Sequence, residues 1–175
     1  MASDTKNVKL GVCKIFFDSQ DLGFTKGGVE VEVTTETKRV EVDQFGRTAI
    51  NEIIVSRNVS VTVPLAETTL ENLVKIMPGS TLVTDGTDPT KKRVDVKTGV
   101  GLSLLEVAKE LRLHPKSLPD ADESEDFVIP RAMTPGAIQF AYQTEDERIF
   151  NCTFTGYPDP VTERLFFVGH EDAAA

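Results

Sequence analysis

Residues Gly28–Thr34 read Gly-Val-Glu-Val-Glu-Val-Thr, and Glu52–Val63 read Glu-Ile-Ile-Val-Ser-Arg-Asn-Val-Ser-Val-Thr-Val. In the first run Val29, Val31 and Val33 share one side, with Glu30, Glu32 and Thr34 on the other. In the second, Ile53, Val55, Val59, Val61 and Val63 alternate with Glu52, Ser56, Asn58, Ser60 and Thr62. Alternation of period two predicts strands with one packed and one wet face. The wet face carries acids, hydroxyls and an amide, a combination suited to paving a surface.

Thr35–Ile50 separates the two runs and is far longer than the usual hairpin loop of about 2–5 residues. It reads as a long inter-strand loop over 35–50. Loops of this size are either unstructured excursions or functional arms, and Val40, Val42 and Phe45 would anchor an arm on a neighbour.

The chain has 175 residues, which fits a single domain over 1–175 with a substantial core. Apolar residues make up 39% and charged residues 27%, an ordinary globular balance. No run approaches the roughly 18 apolar residues of a membrane-spanning helix. The opening Met-Ala-Ser-Asp-Thr-Lys-Asn lacks the basic and apolar regions of a secretory signal, so export by that route is not expected. The formal charge of −9 disfavours gripping a phosphate backbone. Lys91-Lys92-Arg93, the compact basic run, reads as a solvated strand end.

Outward from the two arms, Asn7–Phe17 alternates and reads as a first strand, followed by a glycine-rich turn region. Thr68-Thr69-Leu70-Glu71 has capping-box spacing, and Leu70, Leu73, Val74 and Met77 follow a helical period that Pro78-Gly79 ends. Ser103-Leu104-Leu105-Glu106 repeats the box, and Leu104, Val107, Ala108 and Leu111 predict a second helix closed by Pro115, with His114 just past its end. Five acids between Asp120 and Asp126 predict an exposed loop. Further strands are expected at 80–83, 93–97, 127–133, 137–143, 149–157 and 164–169, and a frayed tail at 171–175. The sum is a mainly β, antiparallel sandwich or partly open barrel with one or two flanking α-helices.

The sequence contains no nucleophile elbow, zinc helix motif, phosphate loop or dinucleotide fingerprint. His114 and His170 stand in no triad or metal spacing, and Asp85 and Asp88 fit a turn better than a calcium loop. Cys13 and Cys152 have no paired-cysteine spacing and read as free thiols. No metal, cofactor or catalytic residue is expected. Glu30 and Glu32, roughly 6.5–7 Å apart by strand rise, leave open an inverting hydrolase, but without tryptophan there is little to form a sugar platform.

Gly28–Val63 with its inserted loop, Leu104–Pro115 and Ala141–Asp159 together resemble the major tail tube protein of long-tailed, siphovirus-type bacteriophages. The resemblance spans most of the chain. It implies a virion structural protein, not an enzyme, which is assembled in the host cytoplasm. Hexameric rings of it would stack helically into a viral tail tube whose acidic lumen conducts genomic DNA during ejection without binding it specifically. It also implies a tape measure protein and a tail terminator as partners, and no membrane. Carried to this chain, the lumen lining is Glu30, Glu32, Thr34, Glu52, Ser56, Asn58, Ser60 and Thr62. The ring-stacking loop presents Lys38, Arg39, Val40, Val42, Phe45 and Arg47. Two rivals stay open: the inner tube of a contractile tail or secretion system, and a monomeric β-sandwich adhesin or carbohydrate-binding module.

Overall fold

The computed structural model describes residues 8–9 and 11–173. Two strands dominate it: β3, Glu30–Glu41, and β4, Ala49–Leu65, joined by a short connection containing a 3-10 turn at Asp43–Phe45. Before them come β1 (Cys13–Phe17) and β2 (Gln20–Asp21). After them follow α1 (Leu70–Ile76), β5 (Ser80–Thr84), β6 (Lys92–Val96), β7 (Lys109–Pro115), β8 (Phe127–Met133), β9 (Phe150–Gly156) and β10 (Phe167–Val168).

One antiparallel sheet runs in the order β2-β1-β7-β8-β9-β4-β3, with β10 alongside β8, and β5-β6 form a separate hairpin. The rings of Phe17 on β1 and Phe154 on β9 lie 5.1 Å apart although β7 and β8 separate them along the sheet. The sheet therefore curls upon itself as a sandwich, while its end strands β2 and β3 stay unpaired with each other, so the barrel is not closed. Between the layers lie Ile15, Phe17, Val59, Val61, Val63, Leu111, Ile129 and Phe154. Gly156 sits against Val59 and Ile129, where a Cβ would have no room. Burial of this apolar surface is the main driving term of the fold.

Several expectations need correction. The 35–50 stretch is mostly strand: β3 runs on to Glu41 and β4 begins at Ala49. Its side chains are exposed on both faces, so no apolar alternation marks it, and the β3–β4 ladder alone fixes its backbone. The predicted helix at 104–111 is absent. Lys109–Pro115 instead forms β7, which pairs with β1 on one side and β8 on the other. Leu111 and Leu113 then point inward at strand period, and tertiary pairing overrides local helical spacing. One helix remains, capped by Thr69, whose Oγ1 accepts from Asn72 N at 3.1 Å. The first strand starts at Cys13 rather than Asn7, and Asn7 lies outside the described residues. The expected strand at 137–143 reduces to a single bridge from Gln139 to Asn151, and that at 164–169 to β10. Part of the expected frayed tail, 174–175, also lies outside the described residues.

Candidate assembly surface

Cross-strand partners share a face of a ladder, so the β3–β4 register assigns every side chain. Glu30, Glu32, Thr34 and Glu36 stand opposite Thr62, Ser60, Asn58 and Ser56. The Ser56 hydroxyl donates to Glu36 Oε2 at 3.0 Å across this face. The face continues onto β9, where Asn151, Thr153 and Thr155 oppose Pro64, Thr62 and Ser60. Thr62 and Thr153 hydroxyls are 3.3 Å apart. Seven of the eight predicted lining residues therefore share one polar wall, to which Glu36, Asn151 and Thr153 belong as well.

Glu52 does not. The register slips between Glu36 and Thr37, leaving Val55 as an extra residue on β4. Beyond this bulge the parity of β4 reverses. Glu52 falls opposite Arg39 on the other face, and Arg39 Nε donates to Glu52 Oε1 at 3.3 Å. The same slip splits the expected apolar face. Ile54 opposes Thr37 on the face continuous with Val31 and Val33, while Ile53 opposes Lys38 on the polar side.

The ladder from β4 to β9 covers only Ser60–Leu65. Thr34–Glu41 and Ala49–Val59 therefore extend past β9 as a two-stranded ribbon, the arm. Phe45, Ile50, Ile53, Ile54 and Val55 are each more than half exposed on it. A two-stranded ribbon is marginally stable alone. Of the residues predicted to stack, Lys38, Arg39 and Val40 lie within β3, Val42 is half-buried, and Phe45 closes the 3-10 turn at the tip with 65% of its surface exposed. Arg47 follows it, also exposed. Among the described residues the outer border of β3 is open: it is the end strand of the sheet and presents a twelve-residue run with no strand alongside.

His114 and Asp126 form a polar cluster within the core that the sequence reading missed. They are 3% and 1% exposed, and His114 Nδ1 hydrogen-bonds Asp126 Oδ1 at 2.7 Å. The turn at Asp126 is held further by Gly169 N donating to its carbonyl. Three of the neighbouring acids are paired with cations, Asp120 with Lys14, Glu123 with Arg112 and Glu125 with Lys9, while Asp122 accepts from Ser124 N. The larger clefts among the described residues are lined by residues other than Glu30 and Glu32, which stand open on the polar wall. Among the described residues no group of three or more potential ligands is placed to hold a metal. Burial pushes the Cys152 thiol up to about 12, and burial raises that of Cys13.

No family model matches this sequence, and no curated protein matches it. Among solved structures, the chain is similar to one described as "Virion of native gene transfer agent (GTA) particle". Identity is 11%, coverage 97% of this chain and 100% of that one, and the TM-score 0.43. A likeness that slight bears on neither this chain's function nor its assembly.

Proposed function

We propose that this chain is a structural virion protein that builds a tail tube from stacked hexameric rings, with the polar wall of β3, β4 and β9 lining a DNA-conducting bore. One observation carries the reading: the longest strands expose both an open twelve-residue border and an apolar arm. A monomer would gain nothing from either, and both are hazards for aggregation. Copies of the same chain remove the hazard by pairing borders and covering arms.

The wall suits passage rather than capture. Glu30, Glu32 and Glu36 set its charge, hydroxyls and amides lie between them, and Lys38 with the apolar Ile53 stands at its far end. Acids at this surface repel DNA phosphates and keep the duplex moving. A tape measure protein and a terminator are the partners such a tube needs, and its place is the virion tail.

Sizing and negative-stain microscopy of the purified protein test this. Rings or filaments are expected, and deletion of Val40–Phe45 is expected to leave a folded, non-polymerising chain. A species that stays at 19.2 kDa at every concentration overturns the proposal and returns the adhesin reading.

A further inference from the structure

At the foot of the arm, a slot of about 240 Å³ opens between the start of β1 and the segment after β2. Val12 (65% exposed) and Phe24 (73% exposed) give it apolar walls. Lys14 and Lys116 line it with positive charge, and Asp21 and Glu67 with negative charge. The wall is built to shape: Glu67 Oε1 accepts from Phe24 N at 3.0 Å, close over Gly23, whose φ of +84° and lack of Cβ make the approach possible.

The tip of the arm is the counterpart in size and charge. Three successive backbone bonds order it: Phe45 N to Val42 O, Gly46 N to Asp43 O and Thr48 N to Phe45 O. An ordered turn thus presents one exposed aromatic ring flanked by Asp43 and Arg47, an anchor with little left to lose in entropy on docking. Among the described residues, Asp43, Arg47 and Lys116 make no ion pair within the chain. The tip and the slot lie at opposite ends of β3, whose rise over twelve residues is roughly 35–40 Å. A chain cannot fill its own slot.

We propose that the slot receives the arm tip of a second copy, with Phe45 inserted between Val12 and Phe24, Asp43 toward Lys116, and Arg47 toward Asp21 and Glu67. This rests on the self-assembly reading above and adds its joint. The contact is head-to-tail, because tip and slot are different surfaces, and it propagates rather than closing as a two-fold dimer.

Phe45→Ala removes the anchor, and Val12→Arg fills the slot. Both sites are exposed, so both variants should melt like the wild type. Each is expected to need on the order of ten to a hundred times more protein to polymerise, the loss from an unburied phenylalanine. Rings of the two variants formed apart and then mixed retain one good tip and one good slot between them, so they should pair and stop after a single joint. If wild-type protein polymerises and Phe45→Ala does so at the same concentration, the joint is refuted while the tube stands. If wild-type protein never polymerises, the tube reading falls and takes the joint with it. Should either variant misfold, the charge pair decides: Asp43→Lys should weaken assembly, and adding Lys116→Asp should restore it. Failure to restore counts against the joint.

Discussion

At the scale of single residues, the structure turns on a few positions where one atom more or less is felt. Gly156→Ala would drive its Cβ into Val59 Cγ1 and to 2.9 Å from Ile129 Cγ2, at the seam between β9, β4 and β8. Overpacking of this kind costs about 1–3 kcal/mol, expected as a lower urea midpoint with an unchanged slope. His114→Leu removes the hydrogen bond to buried Asp126 and leaves it only the Arg112 guanidinium at 3.9 Å, a loss on the order of 3 kcal/mol that urea titration would read. Glu110 shows the opposite behaviour. Burial raises its carboxyl above the ordinary range, Glu171 and Glu123 add to the shift, and Arg112 opposes it. A raised folded value destabilises the native chain once the pH exceeds the unfolded carboxyl value of about 4.3, and the penalty disappears below it. Glu110→Gln should therefore melt higher than the wild type at pH 7 and level with it near pH 4.

At the scale of elements, the sequence was legible where apolar and polar residues alternate and silent where they do not. Val59, Val61 and Val63 lie in the core, while Val31 and Val33 alternate beside them yet stay exposed, and the alternation announced two strands correctly. Thr35–Glu41 belongs to the same strand but is solvated on both sides, so nothing in its pattern distinguishes it from a loop. The bulge at Val55 was illegible for a different reason, since it is a relation between two strands. Glu52 was consequently assigned to the wrong face. β7 carried a signal that misled: Leu104, Val107, Ala108 and Leu111 keep helical spacing, yet β1 and β8 supply hydrogen bonds to both edges of Lys109–Pro115. Asp126 was read with the repelling acids around it, and only the fold brings His114 across the turn to it.

At the scale of the whole molecule, charge and shape are divided between regions. The acids that give the chain its net −9 are offset on the arm, where Lys38, Arg39, Arg47 and Arg57 stand among Glu36, Glu41, Asp43 and Glu52. The polar wall stays acidic at Glu30 and Glu32. Replacing both with lysine should leave assembly intact, because both side chains stand on the polar wall, off the arm tip and the slot, and pairing along the β3 border uses backbone groups. It should slow DNA release from particles built with the variant, measured as the rate of dye-labelled genome ejection. Unchanged release would remove the lining role from this face.

The sheet ends in a twelve-residue strand on one side and a two-residue strand on the other. Strand β2 is too short to pair the whole length of β3. Copies joined as proposed, arm tip to slot, would all face the same way. A filament built so would be vectorial: its two termini would offer different chemistry, elongation from one would outpace the other, and a cap on the faster terminus would slow growth most.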